Sequence, residues 1–166
     1  MPNKMQNISN CIDYEIRQFK WLDIQKYLDQ IIDMQLENIY KFHYPERTPN
    51  RDYVKGKILD LEKHLENNNT YFIGAIKEDV VYGYIWCYES LFIDEKRMSI
   101  NSLFVCEKVR GTGLGKMLMN EAKKVAIHNG CGSIGTHYAS FNTDTGKFYF
   151  NNGFRETRIE MVYKIE

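Results

Sequence analysis

A glycine-rich segment between a predicted strand and a predicted helix constrains this sequence more than any other part of it. Three glycines alternate in residues 111–115, and an amphipathic pattern that predicts a helix begins there and runs to about residue 128. The glycines leave backbone N–H groups uncovered, and the N-terminus of a helix adds partial positive charge. The segment therefore predicts a binding site for a diphosphate, to which Arg110 and Lys116 add charge-assisted contacts.

Two common phosphate motifs do not fit this segment. A P-loop would require glycine at Arg110 and serine or threonine at Met117. A dinucleotide fingerprint would require its third glycine at Lys116. The pattern that remains is Arg-x-x-Gly-x-Gly, which is filled by Arg110, Gly113 and Gly115.

A second block, residues 142–154, adds an independent pattern. It reads Asn-x-x-Thr-x-x-Phe-Tyr-x-x-x-Gly-Phe, formed by Asn142, Thr145, Phe148, Tyr149, Gly153 and Phe154. With both blocks at this spacing, the chain resembles the GCN5-related N-acetyltransferase (GNAT) family over about residues 70–160. Members of that family often carry alanine at the position of Thr145, and the other five residues match the family pattern.

Hydrophobic periodicity predicts the element order β-α-α-β-β-β-α-β-α-β. This order implies an α/β (α+β layered) fold, with a mixed, largely antiparallel central sheet flanked by helices. We expect one domain over residues 1–166, in which the strand–helix–strand unit near residues 100–140 pairs in parallel. Strands are predicted over residues 11–19, 71–76, 80–88, 97–106, 133–140 and 154–165. Helices are predicted over about residues 21–40, 52–66, 114–128 and, capped by Thr143, up to Gly153.

The resemblance implies acetyl-CoA as co-substrate, with no metal. It implies that backbone groups of Leu103, Phe104 and Val105 contact the pantetheine arm, and that the Leu103 N–H polarises the thioester carbonyl. It places Asn142 against the pantetheine or the neighbouring strand. The residues implied to hold the pyrophosphate are Arg110, Gly111, Thr112, Gly113, Leu114, Gly115 and Lys116.

The resemblance also places Tyr149 near the thioester sulfur. Attack by an amine expels a thiolate whose acid has a pKa of about 8.5, whereas tyrosine titrates near about 10. A phenol can therefore protonate the sulfur while it stays neutral at pH 7. The alternative is that Tyr149 is a packed aromatic residue beside Phe148 and Phe150.

No strong base occupies the positions where some family members carry one, because these positions hold Ser99 and Asn101. A water chain that ends at Glu89 or His137 is the first hypothesis for the proton acceptor. The alternative is that both are ordinary surface or strand residues.

Two features of the N-terminal half bear on the acceptor site. An acidic stripe on the first helix either attracts a cationic amine or is a solvated helix face, and it consists of Asp29, Asp33 and Glu37. An aromatic cluster either lines the acceptor pocket or packs the helix on the sheet, and it consists of Tyr40, Phe42, His43 and Tyr44.

Composition excludes several other functions. Lysine plus arginine and aspartate plus glutamate each total 22, so charge predicts neither nucleic-acid nor membrane binding. The four cysteines form no CxxC pair, which predicts no metal site and a reduced, cytoplasmic protein. No apolar stretch is long enough to span a membrane. A homodimer through strand edges near the C-terminus stays open.

The sequence therefore predicts an N-acetyltransferase that moves an acetyl group from acetyl-CoA to a primary amine of a small molecule or peptide. Direct attack by the amine is the expected mechanism. The alternative is a non-catalytic acyl-CoA sensor or scaffold, which the weak base positions allow. A nucleotide- or dinucleotide-binding enzyme is a third reading, and Lys116 and Met117 argue against it.

Overall fold

The computed structural model describes residues 13–165, in which five strands form one mixed sheet. The strands are β1 (Glu15–Gln18), β2 (Thr70–Lys77), β3 (Val80–Phe92), β4 (Glu95–Val105) and β5 (Ser133–Gly135). They lie in chain order, the first four antiparallel and β5 parallel to β4. The predicted largely antiparallel sheet and its parallel strand–helix–strand unit are confirmed.

Six helices flank this sheet within the described residues. They are α1 (Trp21–Lys26), α2 (Leu28–Phe42), α3 (Arg51–Leu59), α4 (Leu61–Glu66), α5 (Leu114–His128) and α6 (Thr143–Asn151), with a 3-10 turn at Glu107–Val109. The two predicted N-terminal helices are each divided, at Tyr27 and at Asp60. Helix α5 begins at the predicted residue and ends before Gly130, whose φ of 69° suits a glycine.

Several predicted boundaries differ from the structure. Residue Cys11 of the first predicted strand lies outside the described residues. Strand β5 ends at Gly135 rather than at residue 140, and residues 154–165 form no strand. A strand needs a neighbouring strand with which to form hydrogen bonds. Strand β5 is too short to pair with residues 154–165, although apolar and polar residues alternate in that segment.

The start of α6 also differs from the prediction. Asn142, not Thr143, is its N-cap, and the Asn142 side-chain oxygen accepts a hydrogen bond from the Thr145 N–H at 3.2 Å. An asparagine at the N-cap satisfies one of the backbone donors that the first helical turn leaves unpaired. The cap therefore falls on the same asparagine that carries the family resemblance.

The sheet separates two hydrophobic clusters. The cluster beneath α1–α4 is built on fully buried side chains, including Phe19, Ile24, Ile31, Val54, Ile58, Leu61, Phe72 and Tyr84. The cluster beneath α5 and α6 includes Ile85, Cys87, Met98, Leu114, Leu118, Met119, Ala122 and Tyr149. Helix α5 therefore owes its position to one apolar face, and the glycine-rich segment is fixed in space where that helix begins.

A buried polar cluster holds α2 against the strands. The Asn38 side-chain amide donates to the Ser102 hydroxyl at 2.8 Å, and that hydroxyl donates to the Gln35 side-chain oxygen at 2.9 Å. The Tyr84 hydroxyl also donates to the Gln35 side-chain oxygen. All four side chains are at most 6% exposed, so these bonds satisfy groups that water cannot reach. They fix the last turns of α2 over β4.

Gly83 provides a close approach between strands β3 and β4. A Cβ at this position would lie 2.8 Å from the Phe104 carbonyl oxygen. The β2–β3 register also shifts between Ala75 and Ile76, opposite this stretch of β3. The glycine therefore lets β3 lie against the part of β4 that borders the site described below.

Replacing Leu118 with alanine should test how strongly the apolar face of α5 positions that helix. Leu118 is fully buried, and we expect its loss to lower the free energy of unfolding by about 2–5 kcal/mol. Ile127→Ala on the same helix is the control, since Ile127 is 76% exposed and should change stability by about 0.5 kcal/mol. Urea unfolding measures both variants, and equal losses would contradict this account.

Candidate active site

Strands β4 and β5 pair only at one end and then separate. Their parallel register covers Arg97–Ser99 of β4 and ends at Gly135 of β5. On the other side of β4, the register with β3 passes from Ser102 to Ile100 across adjacent residues of β3, so Asn101 forms a bulge. Beyond the bulge, the second half of β4 borders an open gap instead of a neighbouring strand.

This gap opens into a cavity of about 640 Å³. Its walls are the second half of β4, the loop and first turn of α5, the segment 136–142, one side of α6 and the C-terminal end of α2. Cavities of this size hold ligands as large as a cofactor arm with a small substrate. The cavity therefore contains the glycine-rich segment and the second motif block, which the sequence predicted to form one site.

The unpaired backbone groups of β4 point toward this cavity. The Cys106 N–H donates to the Tyr82 carbonyl of the β3 side at 2.9 Å. Because backbone groups alternate along a strand, those of Phe104 also face β3, whereas those of Leu103 and Val105 face away from it. The Val105 carbonyl accepts a hydrogen bond from the Arg110 side chain at 2.9 Å, which agrees with that alternation.

The glycine-rich segment ends in an uncapped helix N-terminus. Gly113 is the N-cap of α5, has a φ of 92°, and brings no side chain to the first turn. The first turn also contains no acidic residue. The N–H groups of residues 114–116 have no acceptor within the helix, because the first helical bond is from Met117 to Gly113. These amides border the cavity and favour an anion there.

Gly115 favours close packing as well as exposure of the amides. A Cβ at this position would lie 3.2 Å from the Phe148 ring. Phe148 belongs to α6, so the absence of a side chain lets α6 approach the first turn of α5. The two motif blocks of the sequence are therefore in direct contact.

Arg110 takes part in the site differently from the sequence expectation. Its guanidinium lies 3.3 Å from Glu37 and stands over the rings of Phe42 and Phe104, at 4.8 and 5.4 Å from their centroids. Arg110 borders the cavity together with Lys116. Its side chain therefore joins the glycine-rich loop to α2, while its backbone belongs to that loop.

Tyr149 is both packed and adjacent to the cavity. Its ring makes edge contacts with Phe148 and Phe154, at centroid distances of 5.5 and 5.2 Å. Its hydroxyl lies 3.4 Å from the Thr136 hydroxyl, which donates to it. Burial raises the pKa of Tyr149 above its ordinary value, so the phenol stays protonated at neutral pH. The residue can act as a proton donor to a group in the cavity.

Asn142 bridges the cavity at its narrow side. Besides capping α6, its side-chain amide donates to the Phe42 carbonyl at the end of α2, at 3.5 Å. The two hydrogen bonds use the oxygen and the nitrogen of the same amide. Asn142 therefore links α6 to α2 beside the cavity, a position from which its backbone and side chain also border any ligand.

The two proton acceptors suggested by the sequence lie in different places. His137 borders the cavity, whereas Glu89 lies outside it, at the far end of β3. Glu89 contacts the Tyr71 hydroxyl and the Lys96 ammonium, each at 2.7 Å. Burial alone would raise the pKa of Glu89, but the hydrogen bonds from Lys96 and Tyr71 outweigh it and lower this pKa. The carboxylate is held in an ion pair away from the site.

The two positions where some family members carry a base also lie in different surroundings. Asn101 borders the cavity at the bulge, while the Ser99 hydroxyl is bonded to the Ser90 hydroxyl at 2.8 Å. Two members of the aromatic cluster, Phe42 and His43, border the cavity. Sequence reasoning gave His43 no chemical role, because its only signal was a position just past the apolar pattern of α2.

The acidic stripe of α2 is an ion-paired surface. Arg51 of α3 contacts Asp29 at 3.0 Å and also contacts Asp33. Glu37 is paired with Lys41 and Arg110, each at 3.3 Å. None of the three carboxylates borders the cavity. This agrees with the solvated-face alternative.

Residues 13–165 contain no group of three or more histidine, cysteine, aspartate or glutamate side chains arranged to hold a metal. Nor do these residues include a helix with the length and apolar character that a membrane crossing requires.

Comparison with known proteins gives relatives that are similar in sequence and solved structures that are similar in fold. Tyramine N-feruloyltransferase 4/11 of Nicotiana tabacum is 32% identical over 95 residues. That match includes 55% of this chain, and the chain spans only 42% of the length of this relative. A second tobacco relative, tyramine N-feruloyltransferase 10/30, matches to the same extent.

Solved structures share the fold. A putative acetyl transferase from Pyrococcus furiosus superposes with a TM-score of 0.71 at 21% identity, over 92% of this chain and 100% of that one. An aminoglycoside N-acetyltransferase in complex with CoA gives a TM-score of 0.71 at 16% identity, over 92% and 95% of the two chains.

A family profile decides the assignment. The profile of the Acetyltransferase (GNAT) family matches residues 33–154, a range that contains the cavity, both motif blocks and most of the sheet. The match includes the separated end of β4, the uncapped start of α5 and the tyrosine of α6. The chain belongs to the acetyltransferase (GNAT) family.

Proposed function

We propose that this protein transfers an acetyl group from acetyl-CoA to a primary amine of a small molecule or peptide, by direct attack of the amine. The observation that carries the proposal is the uncapped N-terminus of α5 beside the unpaired edge of β4, within one cavity. The first feature suits a pyrophosphate and the second suits an amide-containing arm. Family membership supports the same cofactor.

The cofactor would bind along this edge in an extended form. Its pyrophosphate would accept hydrogen bonds from the backbone of residues 110–116, with Lys116 adding positive charge. The amides of its pantetheine arm would pair with the free backbone groups of β4, and Phe104 would lie between two such contacts. Asn142 would border the arm from α6. The Leu103 N–H would then face the thioester carbonyl as an oxyanion donor.

Tyr149 would act on the leaving group. When the amine nitrogen bonds to the thioester carbon, the C–S bond breaks and its electron pair moves to sulfur. Tyr149 gives its proton to that sulfur and regains one from solvent. The raised pKa of Tyr149 supports this role, because the donor must be protonated in the working enzyme.

His137 belongs to the proposed proton route, since it borders the cavity and is exposed to solvent. We do not extend that route to Glu89, whose carboxylate is paired with Lys96 away from the cavity. The acceptor's proton would therefore leave through the side of the cavity formed by α2 and the segment after β5.

An arylalkylamine is the acceptor class to test first. The tobacco relatives are named for tyramine, and the aromatic side chains of Phe42 and Phe104 border the cavity. The acidic stripe, which the sequence offered as a site for a cationic amine, is paired with Arg51 and Arg110 instead. Tyramine therefore heads a panel that also includes polyamines, aminoglycosides, amino acids and peptide N-termini.

We also propose that residues 1–166 form one domain, which works in the cytoplasm as a homodimer without a nucleic-acid or membrane partner. Four apolar side chains of the C-terminal segment are at least 85% exposed: Ile159, Met161, Tyr163 and Ile165. Their alternation suits pairing with a second copy. Cys87, Cys106 and Cys131 are free thiols, which suits a reducing compartment.

Sedimentation equilibrium at micromolar concentration should give twice the mass of the chain. Replacing Met161 and Tyr163 with serine should convert the dimer to monomer, whereas Leu22→Ser, at an exposed site on α1, should not. A monomeric wild-type protein would contradict the dimer. Thiols that are already oxidised when cells are lysed in alkylating agent would contradict the cytoplasmic location.

Replacing Gly113 with alanine should weaken acetyl-CoA binding. Because φ is 92° there, an alanine would be strained by about 1–2 kcal/mol and would turn the first amides of α5 away from the cavity. We expect Kd, measured by calorimetry, to rise about tenfold, which corresponds to about 1.4 kcal/mol.

Gly130→Ala is the matched control for this variant. Gly130 follows the other end of α5 with a φ of 69°, and neither glycine has an atom near the site of a new Cβ. Both variants should lose similar stability in urea, but only Gly113→Ala should lose affinity. Unchanged affinity in Gly113→Ala would remove the phosphate site, and no binding of any CoA thioester by the wild type would overturn the function.

Replacing Tyr149 with phenylalanine should lower kcat about 100-fold with little change in acetyl-CoA affinity. The loss should be constant between pH 6 and 9, because the raised pKa keeps Tyr149 protonated throughout. Tyr138→Phe is the control, since the Tyr138 ring lies 6.4 Å from the Tyr149 ring and its hydroxyl contacts Glu156. CoA release with the amine panel measures both. An unaffected Tyr149→Phe enzyme would contradict the role, and binding without release by any amine would identify an acyl-CoA sensor.

A further inference from the structure

We propose that His43 is the catalytic base, which takes the proton from the acceptor ammonium, and that His137 passes this proton to solvent. The proposal rests on the proposed acetyl transfer and assigns the step for which the sequence offered only a water chain. It is carried by the positions of the two imidazoles, which border the same cavity as Tyr149 from the end of α2 and from the segment after β5.

His43 is fixed at the end of α2, where the helix meets the cavity. It is the C-cap residue, and its backbone N–H donates to the Ile39 carbonyl at 3.2 Å. Its side chain is partly buried and borders the cavity beside Asn38 and Phe42. The buried bond from Asn38 to Ser102 holds this turn of α2 over β4, next to Leu103, whose N–H is proposed to face the thioester carbonyl.

His137 borders the same cavity from the segment after β5. The neighbouring Thr136 directs its hydroxyl to Tyr149 on the α6 side. His137, the next residue, lies close enough to His43 for its charge to lower the pKa of that imidazole. The two imidazoles and the Tyr149 phenol therefore border one cavity, in which the reacting group of the proposed transfer would lie.

The surroundings of His43 keep its imidazole neutral. Burial first, and the positive charge of His137 second, lower the pKa of His43 below its ordinary value. The C-terminal end of a helix favours a cation and would raise the pKa of His43, but burial and His137 outweigh this effect. Within residues 13–165, no carboxylate forms an ion pair with His43. The titratable and charged groups on the elements around it are Glu37, Lys41, Tyr44, Arg47, Arg110, His137, Asp144 and Tyr149.

Most of these charges are already paired with one another. Lys41 contacts Glu37 at 3.3 Å and Glu107 at 3.8 Å, and Arg110 shares Glu37. Arg47 stands over the Tyr44 ring, and Asp144 contacts Lys147 at 3.7 Å. Within the described region, the imidazoles that border the cavity are those of His43 and His137, and imidazole is the side chain suited to proton transfer near neutral pH.

The protons and electrons of the step balance. The ammonium gives one proton to His43, and the amine lone pair then bonds to the thioester carbon. As the C–S bond breaks, sulfur takes the electron pair and the Tyr149 proton. The nitrogen loses a second proton to solvent to become an amide, and Tyr149 regains one from solvent, so these two transfers cancel. Acetyl-CoA and the ammonium thus yield the amide, CoA thiol and one proton, which leaves through His43 and the exposed His137.

The test compares kcat/KM against pH for the wild type, His43→Gln and His137→Gln, with the most active amine of the panel. The ratio of the wild-type kcat/KM to the kcat/KM of His43→Gln is independent of the acceptor's own ionisation, because both enzymes use the same amine. We expect this ratio to be about 100 at pH 8 and to fall toward one as acid protonates His43. His137→Gln removes a charge that lowers the pKa of His43, so the acid limb of this variant's kcat/KM profile should move to higher pH. Calorimetry should show unchanged acetyl-CoA affinity in both variants.

Histidine NMR supplies a readout that needs no acceptor. The His43 imidazole should titrate below its ordinary value in the wild type and higher in His137→Gln, whereas His64→Gln, on α4 away from the cavity, should leave it unchanged. A pH-independent ratio near one, or an acid limb that does not move in His137→Gln, overturns the proposal while acetyl transfer stands. Failure of the wild type to bind acetyl-CoA or to acetylate any amine overturns the transfer itself.

Discussion

The site depends on backbone hydrogen bonds that two neighbouring strands do not make. Strand β5 follows β4 for three residues and then leaves it, so the second half of β4 has no strand partner for its outward N–H and C=O groups. Of these groups, the Val105 carbonyl bonds to the Arg110 side chain. Unpaired backbone groups are costly when buried, and they remain satisfied only where a ligand or water can reach them. The opening between the strands therefore creates both a cavity and the polar edge that gives it specificity.

Helix α2 gives this opening its second wall. Its polar residues Gln35 and Asn38 form buried hydrogen bonds with β3 and β4, which fix the helix in rotation and height. Apolar packing alone would allow α2 to slide along the sheet, because hydrophobic contact has no direction. Directional bonds at two successive turns hold Phe42 and His43 at the mouth of the cavity. The packing of α2 therefore determines where the side chains at its C-terminal end lie in the cavity.

The sequence predicts those parts of the site that arise from neighbouring residues. Alternating glycines before an amphipathic run are sufficient to predict the start of α5, because φ values and helix geometry are local properties. The helix that carries Tyr149 is also predicted, although its cap is Asn142 rather than Thr143. The cap depended on which of two adjacent polar side chains reaches the first free N–H, and propensity does not resolve that choice.

Features that depend on distant contacts are beyond such reasoning. His43 and His137 are 94 positions apart, and only the packing of α2 over the sheet relates them. Glu89 could not be placed relative to the site until the ion pair with Lys96 at the far end of β3 was known. The length of β5 escaped prediction because residues 136–140 have strand-like composition but separate from β4, and their partner is lost.

The contact between Arg110 and Glu37 limits how this protein can diverge. The arginine belongs to the loop proposed to bind the pyrophosphate, and the glutamate lies on the helix that ends at His43. The proposed cofactor site and the proposed acceptor site are thus joined by one ion pair. Substitutions that reshape this helix for a new amine would also disturb the loop, so a change in acceptor preference would also change cofactor affinity.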